Sequence, residues 1–204
     1  YPLGRILFAV AGLIAAGFVA TGIYLDFPAI TAELSVELVK RIAAADPAFA
    51  ADPVATMALA NSVLKIIPFV QPASWLLVIM ANFWMALAIS RRSGLFRRPK
   101  DDWPTSLKMP SGALPLFALA MAGTFLGGGF GMIAWCIAGA FSMAFVFTGF
   151  AALHRLSRGK PWRMTALWIA YATSLTIGIP VLAFLFAGLY DTAKKPAADG
   201  SNFN

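Results

Sequence analysis

The chain has 204 residues, of which 60% are hydrophobic and 12% are charged, and its formal net charge is +7 at pH 7. Soluble domains contain about 45–50% apolar and about 25% charged residues, so this composition excludes an ordinary soluble domain and indicates a surface that faces lipid. The basic residues cluster in short segments between apolar stretches. This pattern is typical of cytoplasmic loops in membrane proteins and argues against a nucleic-acid-binding patch.

The apolar stretches predict an all-α fold, a polytopic transmembrane bundle of about five spanning helices. A helix needs about 20 apolar residues to cross a hydrocarbon core of about 30 Å, where the backbone must satisfy its own hydrogen bonds. The predicted spans are residues 6–25, 69–90, 110–126, 130–153 and 164–189. Residues 1–190 then form one transmembrane domain, and residues 191–204 form a flexible polar tail. Because the chain begins at Tyr1 without Met, we also expect helices that precede it.

An external amphipathic helical hairpin is predicted at about residues 28–67, between the first two spans. On its first helix an apolar residue recurs at every fourth position and forms one face, at Ile30, Leu34, Leu38 and Ile42. Its second helix begins at Pro53, after the N-cap residue Asp52, and is expected to end at Pro68. The hairpin is interpreted either as a cover over a connection or as a lid over a binding cavity that opens outward.

The basic residues predict the orientation. They lie in two loops separated by two spans, so both loops lie on the same side of the membrane. An excess of Lys and Arg marks the cytoplasmic side, which makes loops 91–109 and 154–163 cytoplasmic and residues 26–68 external, in a bacterial inner membrane. Residues predicted to contact anionic lipid or a partner protein are Arg91, Arg92, Arg97, Arg98, Arg155, Arg158, Lys160 and Arg163.

A few polar residues within the spans are candidates for ligand binding. Three of them share roughly one face of the second span, and two lie just before Pro180, which is expected to kink the fifth span. The candidates are Gln71, Ser74, Asn82, Thr173 and Thr176. The alternative is that they form ordinary interhelical hydrogen bonds, and that the kink has no function.

No pattern in the sequence indicates catalysis. The predicted spans contain no Asp, Glu, Lys or Arg, and no nucleophile is paired with a base. The single cysteine, Cys136, has no disulfide partner, and the single histidine, His154, is interpreted as an interfacial side chain near a helix C-terminus. The sequence therefore predicts no catalytic residue, no metal site and no cofactor, and hence a protein that is not an enzyme.

Several short segments from the second span onward form a distinctive pattern: Asn82-Phe83-Trp84, Ser90-Arg91-Arg92-Ser93-Gly94, Arg97-Arg98-Pro99, Trp103-Pro104, Met109-Pro110-Ser111-Gly112 and residues 149–154. In this pattern the chain resembles the YybS-like family of uncharacterised bacterial membrane proteins, in its alphaproteobacterial form. The resemblance implies an additional N-terminal portion. It also implies a distant similarity to the membrane substrate-binding components of energy-coupling-factor vitamin transporters, with no binding motif carried over.

Two functions follow as hypotheses. The first is a small-molecule binding or transport component, suggested by the hairpin, the polar face and the kinked fifth span. The second is a membrane scaffold or interaction protein of the cell envelope with a basic cytoplasmic face, suggested by spans without charged groups and by small residues on the first helix. The expected partners are the lipid bilayer, a small-molecule ligand or another membrane protein, and no nucleic acid.

Overall fold

The computed structural model describes residues 3–94 and 102–194, and every regular element in these ranges is a helix. The predicted all-α fold is therefore confirmed. In chain order the helices are α1 (Leu3–Tyr24), α2 (Phe27–Ala45), α3 (Pro47–Ala51), α4 (Pro53–Arg92), α5 (Trp103–Ser106), α6 (Ala113–Gly123), α7 (Gly128–Leu156), α8 (Arg163–Thr176) and α9 (Pro180–Ala193).

Three of the described helices, α1, α4 and α7, are long and apolar enough to cross a membrane. A fourth candidate is the pair α8 and α9, which is bent by 119° at its break. The helices are thus consistent with a multi-pass membrane protein, but the predicted count of five spans is not confirmed. The predicted third span contains only α6, whose 11 residues extend about 16 Å, roughly half of a hydrocarbon core.

Helix α7 is central, and α1, α4, α6 and α9 pack against it. Its glycines let neighbouring backbones approach closely, as small residues do where membrane helices cross. A Cβ atom added at Gly139 would lie 2.0 Å from the carbonyl oxygen of Phe69 in α4. A Cβ atom at Gly149 would lie 1.9 Å from the carbonyl oxygen of Phe184 in α9. Larger residues at these two positions would push the helices apart.

Helix α4 continues through Pro68 and Pro72 as one helix of 40 residues, so the prediction that a helix ends at Pro68 is wrong. Membrane helices tolerate such prolines when their neighbours re-satisfy the freed carbonyl groups, and both prolines are buried. Buried positions recur every four residues from Thr56 to Met80. Four residues turn a helix by about 400°, so each step shifts the buried position by about 40°. The line of buried positions, which we call the buried stripe of α4, therefore passes from the side facing α2 to the side facing α7.

The helical hairpin predicted at about residues 28–67 is present. Helix α2 packs against the first half of α4, and α3 lies at the turn between them. The predicted apolar face of α2 is only partly confirmed, because Leu38 and Ile42 are half-buried whereas Leu34 is 45% exposed. Ser35 is buried beside it. The side of α2 that contacts α4 is therefore rotated by about one residue from the predicted one.

Helices α4 and α7 run in the same direction. The ring of Phe69, in the middle of α4, contacts that of Trp135 in the first third of α7, with centroids 5.8 Å apart. Near their ends Trp84 and His154 line the same cavity. The end of α4 and the start of α7 therefore lie at opposite ends of the bundle, and the chain between them has to run back along it.

Residues 102–127 form the described part of this return. At one end Asp102 pairs with Arg158 beyond α7, and at the other end Gly123 lies against Ala134 near the start of α7. Between α5 and α6 the backbone of residues 107–112 is not helical, and Leu107 is buried in the core. Irregular backbone occurs at membrane depth only where protein covers it. The return segment packs against α1 and α7, so protein covers this irregular backbone.

The predicted fifth span is divided into two helices. Helix α8 ends at Thr176, Gly178 adopts a φ of +73° that favours glycine, and α9 begins at Pro180. The 119° bend turns α9 back, and Asp191 near its end pairs with Arg155 near the end of α7. The pair α8 and α9 thus returns to the end of the bundle from which it started.

The polar tail predicted at residues 191–204 begins later than expected. Asp191 and Thr192 are buried in α9. Asp191 has its ion-pair partner there, and the Thr192 hydroxyl donates a 2.8 Å hydrogen bond to the carbonyl of Gly188. The helix therefore includes the first polar residues of the predicted tail, and residues 195–204 lie outside the described ranges.

Candidate functional site

A cleft of about 530 Å³ lies between α4, α5, α7 and α8. We call it the basic-end cleft, because it lies at the end of the bundle where Arg155 and Arg158 form ion pairs. Small-molecule sites occupy about 300–1,000 Å³ and are mostly apolar with a few polar groups. The cleft has this character, since its lining residues are Leu77, Met80, Ala81, Trp84, Trp103, Pro104, Leu107, Phe147, Phe150, Ala151, His154 and Tyr171.

Three helices and one short turn of helix position these side chains. Helix α7 forms the floor, and α4 and α8 form two walls that make at most slight contact with each other. Helix α5 closes one end and is held there by the Arg155 guanidinium, whose Nη1 donates a 3.1 Å hydrogen bond to the carbonyl of Pro104. The cleft therefore exists because α8 diverges from α4 while α5 bridges towards α7.

Aromatic stacking fixes the wall formed by α8. The ring of Tyr171 stacks on Phe150 with centroids 5.0 Å apart and an interplanar angle of 2°. Phe150 in turn stacks on Phe184 of α9, with centroids 4.0 Å apart. Stacked rings combine a large apolar surface with restricted geometry. The cleft wall is therefore preformed by three helices together.

The polar end of the basic-end cleft is a histidine–tyrosine pair. The Nε2 atom of His154 and the hydroxyl oxygen of Tyr171 are 2.8 Å apart and share a hydrogen bond. The tautomer of His154 decides which group donates. Apart from these two groups, the indole N–H groups of Trp84 and Trp103 are the other strong hydrogen-bonding side-chain groups among the lining residues. The site can thus orient a ligand that carries one polar end.

Two ion pairs lie next to the cleft. Arg155 pairs with Asp191, whose side chain is 10% exposed, and Arg158 pairs with Asp102. The hydrogen bond to Asp102 raises the pKa of Arg158 above its usual value. Each of the two arginines therefore has its charge balanced by a carboxylate, and both tie separate chain segments to the end of α7.

Arg163 and Lys160 have no such carboxylate in the ion pairs of the described residues. The Nε atom of Arg163 is buried and donates no hydrogen bond, while Lys160 is exposed. The charges of Arg163 and Arg158 act on His154. Arg163 and Lys160 are therefore basic residues near this end of the bundle that no aspartate pairs with among the described residues.

None of the five residues predicted to bind a ligand lines the basic-end cleft. Gln71, Ser74 and Asn82 are exposed on α4, away from its buried stripe. The hydroxyl of Thr173 donates to the carbonyl of Ile169 at 2.7 Å, and that of Thr176 donates similarly to its own helix. Such bonds satisfy a hydroxyl locally. The structure does not bring the five residues together, and their binding role stays a prediction.

The eight basic residues separate into different environments. Arg91 and Arg92 lie in the last turn of α4, and Arg97 and Arg98 lie outside the described residues. Arg155 and Arg158 each pair with an aspartate of the chain, which leaves them less available to a partner. Lys160 and Arg163 remain candidates for an external contact.

The cavity expected beneath the hairpin is not where the 530 Å³ cleft lies. Between α2 and α4 there is a smaller groove of about 280 Å³, lined by Phe27, Thr31, Ala32, Asn61, Leu64 and Lys65. The basic-end cleft is at the opposite end of the bundle. A cavity that opens outward under a lid therefore stays a prediction, and the 530 Å³ cleft near the basic loops is a separate candidate site.

Sequence reasoning missed the pairing of His154 with Tyr171. The two residues are 17 positions apart on different helices, and the sequence pattern of α8 does not show which of its faces meets α7. The one sequence feature that pointed to an aromatic site was the high frequency of aromatic residues around the basic loops. Interfacial positions explain that density equally well.

No family model, curated protein or solved structure matches the chain. The resemblance to the YybS-like family therefore stays a prediction, and the candidate site rests on geometry. Within residues 3–94 and 102–194, no three His, Cys, Asp or Glu side chains are grouped to hold a metal ion. Cys136 is buried and has no disulfide partner there.

Proposed function

We propose that this chain binds an amphipathic small molecule in the basic-end cleft, as a binding or transport component of a membrane. One observation carries this proposal: a cleft of about 530 Å³ with aromatic walls ends in a single hydrogen-bonded pair, His154 and Tyr171. An apolar cleft with one polar end fits a ligand that has an apolar body and one polar group.

The proposed setting is the inner membrane of a bacterium, with loops 91–109 and 154–163 in the cytoplasm and residues 26–68 outside. The ion pair between Asp102 and Arg158 supports a common side for the two basic loops. The start of α1 lies at the same end of the bundle, because Gly4 lies directly against the carbonyl of Lys108 in the first basic loop. Positive loops favour the cytoplasmic side.

In the proposed topology, residues 102–127 take the place of the third spanning helix as a broken crossing. Helices α1, α4 and α7 are the regular crossings, and α8 with α9 enters and leaves on the cytoplasmic side. The ion pair between Arg155 and Asp191 supports this return of α9. The basic-end cleft then lies at the level of the cytoplasmic leaflet.

A second function, a scaffold or interaction protein, is favoured by the exposed apolar side chains of the hairpin. Val54 is 80% exposed, and Val63 and Ile66 are also exposed in the first half of α4. Apolar residues that protein does not cover mark contacts with lipid or with a partner. Recovery of a stoichiometric partner that is lost on Ile66→Ser substitution would favour this function.

The test of the proposed function compares molecules that co-purify with three forms of the protein. Ala81 lines the cleft, so Ala81→Trp fills it, whereas Ala86→Trp adds the same bulk at an exposed position of α4 outside the cleft. Mass spectrometry of the purified forms should find an amphipathic molecule with the wild type and Ala86→Trp and not with Ala81→Trp. Equal retention by all three would contradict the proposal.

A further inference from the structure

We infer that the ligand of the basic-end cleft is an anionic lipid of the surrounding leaflet. One acyl chain enters the cleft between α4 and α8, and the acidic headgroup lies at Arg163. This inference rests on the proposed function and adds the chemical class of the ligand.

The charge balance at the polar end of the cleft selects an anion. Asp102 and Asp191 are the carboxylates that pair with arginines there, and they neutralise Arg158 and Arg155. Among the described residues no carboxylate pairs with Arg163 or with the exposed Lys160, so their positive charges are not balanced there. A neutral or cationic headgroup would leave this charge without compensation, whereas a phosphate ester would neutralise it.

Arg163 also has an unmet hydrogen-bonding requirement. Its Nε atom is buried and has no acceptor in the described part of the chain. A buried donor without an acceptor is unfavourable, and arginine matches phosphate oxygens with a planar set of N–H donors. A phosphate headgroup would therefore supply the acceptor that the folded chain lacks.

The histidine–tyrosine pair extends the headgroup site. His154 is hydrogen-bonded to Tyr171, and Arg163 lies eight residues before Tyr171 on α8, about 12 Å along the helix axis. In either tautomer of the histidine, at least one of the two residues can offer a proton to an ester oxygen. The headgroup site proposed here therefore extends from the His154–Tyr171 pair towards Arg163, which begins the helix that carries Tyr171.

The apolar part of the cleft favours a lipid over a soluble anion. Leu77 and Met80 on one wall and Phe147 and Ala151 on the floor offer no group that binds phosphate. A volume of about 530 Å³ encloses a drug-sized molecule, hence one chain of a lipid, while a second chain stays in the bilayer. The gap between α4 and α8 gives a lateral path for that chain.

The experiment uses nanodiscs that contain phosphatidylcholine and phosphatidylglycerol, each offered in turn with a photoreactive group on one acyl chain. Crosslinking to wild-type protein should favour phosphatidylglycerol by about ten-fold, as expected for one charge-assisted hydrogen bond. Arg163→Gln should abolish this preference, and Arg163→Lys should restore part of it. Arg5→Gln, the matched control at an exposed arginine outside the cleft, should keep the preference.

Peptide mapping should place the crosslink on α4, α7 or α8 at the cleft, and Ala81→Trp should abolish it for both lipids. If the two lipids crosslinked to the wild type equally and neither crosslinked to Ala81→Trp, the inference that the ligand is anionic would be overturned. The proposed function would remain intact. Crosslinking that Ala81→Trp does not change would overturn both. If excess inorganic phosphate abolished the crosslinking of phosphatidylglycerol, the site would bind free phosphate. The inference that its anion comes from a lipid would then be overturned.

Discussion

Arg155 of α7 pairs with Asp191 of α9, and this ion pair holds the last described helix against the end of the bundle that carries the basic loops. The side chains are 26% and 10% exposed, respectively. The same arginine also donates to Pro104, so it joins the return segment, the central helix α7 and the helix α9. One side chain of α7 therefore holds both α5, which closes one end of the basic-end cleft, and α9, which supports the wall formed by α8.

Asp191→Ala should lower the free energy of unfolding by about 3 kcal/mol, because it leaves a largely buried arginine without its counter-charge. Thermal unfolding in detergent measures this loss. Glu33→Ala, at an exposed position of α2 without an ion pair among the described residues, should stay within about 0.5 kcal/mol of wild type. The double variant Arg155→Met with Asp191→Leu should be more stable than Asp191→Ala. Equal stability of wild type and Asp191→Ala would remove this role of the pair.

Gly188→Ala should destabilise the protein by about 2 kcal/mol, within the range for overpacked sites. The added Cβ atom would lie 1.9 Å from the carbonyl oxygen of Phe145 and 2.5 Å from the hydroxyl of Thr148. Gly12→Ala is the matched control, because a Cβ atom there meets nothing within 4 Å and alanine favours the helix. If the melting temperature of Gly188→Ala equalled or exceeded that of Gly12→Ala, the backbone of α9 would not lie as close to α7 as described.

Tyr171→Phe should weaken ligand binding about five-fold, which corresponds to about 1 kcal/mol for one hydrogen bond. The ring and its stack on Phe150 remain, so stability should change little. Tyr171→Leu removes the stack as well and should weaken binding further. Competitive lipid exchange monitored by native mass spectrometry measures both effects. Tyr190→Phe, which lies outside the cleft, should bind as the wild type does, and an equal loss in that variant would contradict a specific role of Tyr171.

Single cysteines should test the return of α9. In a Cys136→Ser background, cysteines replace Lys160, Lys194 and Ala45 one at a time, and intact cells are treated with a membrane-impermeant maleimide. Only the cysteine at position 45 should react from outside, whereas those at 160 and 194 should react after the cells are opened. Reaction at 194 from outside would make α8 and α9 a complete crossing and would contradict the ion pair between Arg155 and Asp191.

The sequence predicted the regular spanning helices well, because long apolar runs specify them locally. The predicted spans 6–25 and 130–153 correspond to α1 (Leu3–Tyr24) and α7 (Gly128–Leu156) within three residues at each end. Each run is apolar throughout and has a charged or glycine-containing boundary. Such helices form in lipid whatever their neighbours are, since their backbone groups must bond internally.

The errors lie where neighbouring segments decide the outcome. Pro68 ends a helix in water, but in α4 it is buried among neighbouring helices and the helix continues. The motif Gly178-Ile179-Pro180 is compatible with a kink in one helix and with a reversal of the chain direction. The chain reverses, and the ion pair between Asp191 and Arg155 forms in the reversed arrangement. The cleft itself arises from tertiary contacts between Tyr171, His154 and Phe150, which no local pattern specifies.

The most direct test is an experimental structure of the protein in lipid nanodiscs. We predict elongated density between α4 and α8 that fills the basic-end cleft and ends within hydrogen-bonding distance of His154 or Tyr171. A cleft closed by direct packing of Trp84 against Tyr171, with no density between them, would contradict the account.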